Sequence, residues 1–251
     1  YISIQLYNFF EANFWLWLWV FLSVIIIFTN MFYTTLIVPI FNKLSPLEEG
    51  SLKNKIEKYS KKIGYSLDKI FVIDGSKRSS KANAFFSGLG PKKTIALFDT
   101  LIDKHEEDEL VAVLAHEVGH YKKNHIKQGL LLSISQVGII CYTLQLCLNE
   151  PNLSFALGGL ESSFHLSLIA FSFLFSPLSI IIGIGMNIFS RKNEYEADKY
   201  AKETYNGESL KNALKKLSSD SLTNLYPHPL YVFVHYSHPP LLKRLEALDR
   251  K

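Results

Sequence analysis

The chain has 251 residues, of which 48% are hydrophobic and 20% charged, with a net charge of +4. This mixture is too apolar for an ordinary soluble enzyme and too charged for a bundle made only of membrane helices. The small net charge, without any stripe of Lys and Arg, gives no indication of nucleic-acid binding. The composition therefore predicts a membrane protein that carries a sizeable polar domain.

Three stretches of the chain are apolar enough, and long enough at about 20 residues, to cross a bilayer. They cover residues 14–38, 128–148 and 164–189. Trp15, Trp17 and Trp19 begin the first stretch and predict an aromatic anchor at the membrane surface. The third stretch could also be a buried core helix, but the lack of any charge between His165 and Arg191 favours a span.

Lysine and arginine are concentrated in the polar regions and absent from the connection between the second and third spans, residues 149–163. By the positive-inside rule, the polar regions face the cytoplasm and this connection faces the opposite side. The expected location is a multi-pass protein of the endoplasmic reticulum membrane in a eukaryote, or of the inner membrane in a bacterium.

The polar regions combine helices with a few short strands. A capping signal at Ser45-Pro46 marks the start of the first polar helix, and residues 103–127 form one helix with an acidic first turn and a basic end. In chain order, the predictions are a helix over 47–64, strands over 70–73, 84–88 and 94–97 with a turn at 88–93, helices over 103–127, 192–205 and 208–217, an irregular stretch over 227–240 and a helix over 241–248.

The most informative motif is His116-Glu117-Val118-Gly119-His120, in the middle of the helix predicted over 103–127. On a helix, two histidines four residues apart leave the same face, which suits two neighbouring positions of a tetrahedral zinc ion. The glutamate between them is placed to take a proton from water. The motif also arises by chance, so the rest of the chain has to supply a third ligand.

A candidate third ligand lies just beyond the third span. Glu194 and Asp198 are four residues apart and share one helical face. One carboxylate can bind the metal while the other accepts a hydrogen bond from a ligand histidine. Glu196 points away from this face and is expected in solvent. The alternative is an ordinary charged helix next to a membrane.

Two further features concern the chain as a whole. Cys141 and Cys147 lie in an apolar stretch and are expected to be core or lipid-facing residues instead of a disulfide or metal site. The chain begins at Tyr1 and no signal-peptide pattern follows, so we expect the C-terminal part of a longer protein.

Four segments together resemble the type I CAAX prenyl protease family, integral membrane zinc metalloproteases of the gluzincin clan. They are residues 116–125 around HExxH, the string from Ser190 to Asp198, residues 83–88 with 94–101, and residues 236–245. The expected fold class is mainly α, with polytopic membrane helices and a cytoplasmic zincin-type catalytic domain that contains a small β-sheet. The expected divisions are a transmembrane helix over 1–40, a zincin-like domain over 41–127, a transmembrane hairpin over 128–189, and a third-ligand and C-terminal catalytic segment over 190–251.

The resemblance implies one zinc ion per chain, bound by His116, His120 and Glu194. Glu117 would act as the general base and then the general acid. Asp198 would hold a ligand histidine in place. His125 does not share the HExxH face and is expected at the surface or behind a ligand, and not on the metal.

The resemblance also implies that His238 and Arg244 stabilise the oxyanion of the reaction. Both have alternatives, because His238 could cap the final helix and Arg244 could pair with Glu246 or Asp249.

The segment from Asn83 to Gly88, including Ala84 and Phe85, is a candidate substrate edge to which an extended peptide adds as a strand. It could equally be a hairpin that only packs on the zinc helix.

The expected function is a membrane zinc endopeptidase that removes the C-terminal tripeptide of prenylated CAAX proteins. Its partners would be a peptide or prenylated protein and the lipid bilayer, with no nucleic acid. The alternatives are a heat-shock-type membrane peptidase for protein quality control and a non-catalytic membrane scaffold.

Overall fold

The structure, a computed structural model, describes residues 10, 13–64, 69–80, 82–87 and 94–250. The chain divides into two compact units. The membrane unit contains residues 1–28 and 128–186, and the site unit contains residues 29–127 and 187–251.

In chain order the described helices and strands are α1 (Phe14–Phe32), α2 (Val38–Phe41), β1 (Leu44–Pro46), α3 (Ser51–Lys62), β2 (Lys69–Ile73), β3 (Ala84–Ser87), β4 (Thr94–Phe98), α4 (Asp99–Ile102), α5 (Glu107–Lys122), α6 (His125–Leu148), α7 (Pro151–Ala156), α8 (Phe164–Thr204), α9 (Gly207–Asp220), α10 (Pro229–His235) and α11 (Leu241–Asp249). A π-helical turn, Tyr33–Ile37, joins α1 to α2. The mainly α fold class with a small sheet is thereby confirmed.

The three predicted spans are confirmed as helices long and apolar enough to cross a membrane: Phe14–Phe41, α6 and α8. The 41 residues of α8 give a helix about 60 Å long at 1.5 Å per residue. That is about twice the thickness of the hydrocarbon core of a bilayer. The polar C-terminal part of α8 therefore continues beyond the apolar segment, and this part carries Glu194 and Asp198.

In the membrane unit, two of the three tryptophans of α1 pack against α6. The indole nitrogen of Trp19 donates a hydrogen bond to the carbonyl oxygen of Ile134 at 2.8 Å. The ring of Trp15 meets that of Tyr142 edge-on, with 5.4 Å between centroids. Trp17 is 52% exposed. Two members of the cluster thus join α1 to α6, and the anchor role at the membrane surface stays a prediction.

In the site unit, the strands form one four-stranded sheet in the order β1-β2-β4-β3. The central strands β2 and β4 are parallel, and β1 and β3 pair antiparallel to them at the two sides. Ser45 and Pro46 lie in β1, so the capping signal predicted there is wrong; α3 begins later, at Ser51 after Gly50. Because β3 forms one side of the sheet, its outer edge has no strand partner among the described residues.

The HExxH helix α5 lies at the centre of the site unit. Its first turn begins at a capping box, in which the side chains of Glu106 and Glu109 each accept a hydrogen bond from the backbone of the other's position. Ten of its sixteen residues are buried, and its apolar side chains join a core with α3, α9 and the sheet. This packing fixes the orientation of the motif.

Two predicted elements are wrong. The single helix over 103–127 is wrong at both ends: residues 103–106 are not helical, α5 begins at Glu107, and Asn124, in a left-handed conformation with φ of 59°, ends α5 before α6 begins. The stretch predicted as irregular over 227–240 contains the helix α10, which begins at Pro229 after His228 has capped its first turn.

Candidate metal centre

Two helices of the site unit bring the candidate ligands together. His116, Glu117 and His120 project from α5, and Glu194 and Asp198 from α8. The helices approach closely at Gly119, where an added Cβ would lie 3.0 Å from the Cα of Ala197. The glycine of the HExxH motif is therefore required for the approach that places the two sets of ligands opposite each other.

Three side chains point their donor atoms at one place. The Nε2 atoms of His116 and His120 are 3.1 Å apart, and Glu194 places one carboxylate oxygen 3.2 Å from Nε2 of His120 and the other 3.5 Å from Nε2 of His116. Ligand atoms bonded to a tetrahedral zinc ion are about 3.3–3.4 Å apart. This ligand triangle, two imidazoles and a carboxylate, therefore fits a zinc ion in both spacing and chemistry.

The outer side of His116 is held by charged groups. Its Nδ1 atom lies 2.9 Å from Oδ1 of Asp198, whose side chain is 2% exposed. Arg244 in turn donates to both oxygens of Asp198, at 2.8 and 2.6 Å, and lies 3.3 Å from Glu194. Arg244 thus pairs with neither Glu246 nor Asp249, which bind other cations of the site unit.

The Nδ1 atom of His120, which points away from the ligand triangle, contacts another histidine instead of a charged group. This atom is 3.0 Å from Nδ1 of His125, and Nε2 of His125 is 3.2 Å from Oε2 of Glu196. His125 is buried, at 5% exposure, so it lies behind a ligand and not at the surface. Glu196 points away from the ligand face and its side chain is 40% exposed, as expected, but one of its oxygens contacts the ring of His125.

Sequence reasoning missed this contact because it assumed one helix through the region. On a continuous helix, His125 would lie about 140° around the axis from His120. The break at Asn124 turns the chain so that His125, the first residue of α6, faces back to His120. The signal was present as Lys122-Lys123-Asn124, since basic residues followed by Asn commonly end a helix.

Glu117 lies beside the ligand triangle and lines the same cavity as His116 and Glu194. Burial raises the pKa of Glu117 above its usual value, and the neighbouring His116 and His120 only partly oppose this shift. A carboxyl with a raised pKa is a better proton acceptor at neutral pH than an ordinary one. The position and the pKa both suit a general base.

His238 faces the centre from the loop before α11. Its Nε2 atom is 3.5 Å from Glu194 and its side chain is 64% exposed, while Nδ1 is 3.0 Å from the hydroxyl of Ser237. The residue before α11 is Pro240, and no side chain caps that helix. His238 is therefore not the helix cap considered as the alternative, and its ring is open to a ligand beside the cluster.

A cavity of about 160 Å³ adjoins the ligand triangle. One wall is polar and contains the site residues, and the other is built from aliphatic side chains. It is lined by Ala82, Asn83, Ala84, Leu101, Val113, His116, Glu117, Glu194, Leu210, Leu214, Leu217, His238 and Arg244. The cavity can hold a small apolar side chain next to the candidate metal.

The predicted substrate edge lies partly in this cavity. Asn83 and Ala84 line it, and Ala84 and Phe85 belong to β3, whose outer edge pairs with no other strand in the described part of the chain. Gly88 lies outside the described residues. The structure therefore places Asn83 and Ala84 at the cavity, and Phe85 follows them in β3.

The fold and the site define the class of protein: a helical multi-pass membrane protein that carries the HExxH-plus-glutamate constellation of zincin metallopeptidases. The sequence model of peptidase family M48 matches residues 46–251. A second model, described as the CAAX prenyl protease N-terminal region with five membrane helices, matches residues 1–43. The chain belongs to peptidase family M48, which implies a metal cofactor.

Curated relatives agree with this assignment. CAAX prenyl protease 1 of Saccharomyces cerevisiae is 39% identical over 265 residues, which cover 99% of this chain and 58% of that protein. The homologues of Arabidopsis thaliana and Homo sapiens are 39% and 32% identical, over 93% and 94% of this chain. The crystal structure of S. mikatae Ste24p is similar to the whole chain, with a TM-score of 0.89 and 37% identity, and 62% of that chain is covered. The chain thus spans little more than half the length of these curated relatives.

Proposed function

We propose that the protein is a membrane-embedded zinc metalloendopeptidase that removes the C-terminal tripeptide of prenylated CAAX proteins. The observation that carries the proposal is the ligand triangle of His116, His120 and Glu194 with Glu117 beside it. The names of the relatives support the substrate class.

A zinc ion bound at the ligand triangle would polarise the scissile carbonyl and lower the pKa of a water molecule. Glu117 takes the proton of the attacking water and delivers it to the leaving amine. His238 lies on the open side of the cluster and stabilises the oxyanion that develops at the carbonyl. Arg244, which is bound by two carboxylates, holds Asp198 and Glu194 in position and also lines the cavity.

The position of the site on α8 supports a lipid-bearing substrate. The uncharged segment of α8 ends just before Arg191, and Glu194 lies only a few residues later. This separation is about 5 Å along the helix axis. A peptide whose lipid remains in the bilayer would therefore present its C-terminal residues near the ligands. By the charge distribution, this end of α8 faces the cytoplasm, in the endoplasmic reticulum membrane of a eukaryote.

The sheet and the cavity support binding of an extended peptide. The outer edge of β3 can accept a further strand, with Asn83 and Ala84 at its start. Main-chain pairing of this kind would bring the peptide to Glu117 with little dependence on its side chains. The aliphatic wall formed by Leu210, Leu214 and Leu217 would receive an apolar residue of the tripeptide.

No feature of the described residues favours the two alternatives. The relatives are named as CAAX prenyl proteases and not as heat-shock peptidases. A non-catalytic scaffold would not need the full set of ligands together with Glu117.

The test compares cleavage of a farnesylated CAAX peptide and its unprenylated twin by the purified full-length protein in detergent. We expect strong preference for the farnesylated peptide, and loss of cleavage on chelation of the metal. Glu117→Gln should lower the rate by about 10²–10⁴-fold, because it removes the base. It should leave zinc binding unchanged.

The outcomes separate the parts of the proposal. Equal cleavage of both peptides would contradict the substrate class while leaving the zinc chemistry in place. Cleavage that survives both chelation and Glu117→Gln would contradict the mechanism.

A further inference from the structure

We propose that His125 and Glu196 form a relay that fixes the tautomer of the ligand His120, with its proton on Nδ1, and so sets the affinity of the site for its metal. The relay rests on the zinc site proposed above and adds two residues that do not touch the metal. Its evidence is a continuous line of two contacts, from His120 of α5 to His125 of α6 and from His125 to Glu196 of α8.

The first step concerns the ligand ring. A neutral imidazole carries one N–H, and the other nitrogen has a free lone pair. His120 can bind a metal through Nε2 only when its proton is on Nδ1, the atom that lies 3.0 Å from His125. Nδ1 of His125 must therefore accept this hydrogen bond.

The second step concerns the contact between His125 and Glu196. Because Nδ1 of His125 is the acceptor, its proton must be on Nε2, which lies 3.2 Å from Oε2 of Glu196. An ionised carboxylate can only accept hydrogen bonds. The reverse arrangement would set a ring lone pair against the carboxylate and leave His120 protonated on Nε2. Glu196 thus selects the one arrangement that leaves the metal-binding lone pair free.

The surroundings favour this role for both residues. His125 is buried, so its ring is shielded from bulk solvent. The nearest cation to Glu196 is Lys192, which lies 3.8 Å from the other oxygen, Oε1, and is itself 73% exposed. Oε2 remains directed at His125. Partners of this kind commonly raise the metal affinity of a ligand histidine by about 10–100-fold.

The experiment measures the zinc dissociation constant of the full-length protein in detergent, by competition with a chelator of known affinity. We expect His125→Phe, which keeps a ring but removes both nitrogens, to raise this constant by about 10–100-fold. Glu196→Leu should have a similar but smaller effect. Glu196→Gln can donate as well as accept a hydrogen bond, so it no longer selects one arrangement and should lie between wild type and Glu196→Leu.

The matched control is His105→Phe. His105 is a second buried histidine of the site unit, at 8% exposure, and its Nδ1 contacts the carbonyl oxygen of Leu101 at 3.1 Å instead of a ligand. Its replacement should leave the zinc dissociation constant unchanged. An equal effect of His105→Phe would overturn the relay, because it would show a general effect of losing a buried ring.

Two further measurements separate positioning from folding. The double variant His125→Phe/Glu196→Leu should bind zinc no more weakly than His125→Phe alone, since residues in one line are not additive. Zinc should raise the melting temperature of Glu196→Leu by less than that of wild type, with the metal-free melting temperatures equal. Additive losses, or wild-type affinity in both single variants, would overturn the relay. A wild-type protein that binds no zinc would instead contradict the proposed function.

Discussion

Each ligand histidine of the HExxH motif needs a partner at its Nδ1 atom that holds the ring in place, and the two histidines have different partners. His116 is held by Asp198 and Arg244, a buried ion pair whose side chains are 2% and 11% exposed. His120 is held by a neutral ring and by Glu196, whose side chain is 40% exposed. The first arrangement links the metal site to the stability of the fold, since buried charges are costly when one partner is lost. The arrangement at His120 mainly affects the affinity of the site for its metal. Variants on the two sides should therefore have different consequences.

The largest effect is expected on the His116 side, from Arg244→Met. This change leaves Asp198 and Glu194 buried without their cation, which should lower the free energy of unfolding by about 3–5 kcal/mol. The measurement is the melting temperature of the metal-free protein in detergent. The control is Arg250→Met, which removes an exposed pair with Glu246 and should cost less than about 1 kcal/mol. Equal melting temperatures for the two variants would contradict the distinction between the sides.

The open face of the cluster should behave differently from both sides. His238→Ala removes a side chain that is 64% exposed, so the melting temperature and the zinc dissociation constant should not change. If His238 stabilises the oxyanion, kcat should fall by about 10²–10³-fold. Steady-state kinetics on the farnesylated peptide would measure this. A loss confined to KM would assign His238 to substrate binding instead.

The close approach of α5 and α8 can be tested at Gly119. Both ligand histidines depend on this approach. Gly119→Val places a branched side chain against the backbone of Ala197 and should cost about 1–3 kcal/mol through overpacking. The ligand triangle would open, so zinc affinity should fall together with the melting temperature. Gly129→Val is the control, because an added Cβ there meets nothing within 4 Å. A Gly119→Val protein that binds zinc as wild type does would contradict the need for close approach.

The sequence predicted one side of this site and not the other, for a physical reason. Side chains four residues apart on a helix share one face. Helix geometry alone therefore predicts that His116 lies beside His120 and Glu194 beside Asp198. The match between Gly119 and Ala197 and the pairing of Arg244 with Asp198 depend on packing between distant segments. The His125 contact depends on the helix break, which a pattern of charges and apolar residues over 103–127 does not reveal. Similarly, the sequence pattern predicts a capping signal at the residues of β1, because a strand of three residues has no recognisable period.

Domain boundaries illustrate the same limit. The expected divisions at residues 40, 127 and 189 follow the change from apolar to polar composition and stay a prediction. The long helix α8 passes from the membrane unit into the site unit without a break. Composition marks where a helix leaves the bilayer, but it does not mark where a compact unit begins.

The smallest effect is expected at Asn124, the residue that creates the His120 side. Its left-handed conformation costs an ordinary residue about 1–2 kcal/mol, and Asn tolerates it better than Ala does. Asn124→Ala should therefore lower the free energy of unfolding by about 1 kcal/mol, whereas Asn124→Gly should match wild type because glycine adopts this conformation freely. The melting temperatures of the two variants measure the difference.

Zinc affinity should also fall in Asn124→Ala. In this variant the strain at residue 124 is relieved when α5 extends, and His125 then turns away from His120. If Asn124→Ala weakened zinc binding while Asn124→Gly did so equally, the backbone conformation would not be what positions His125.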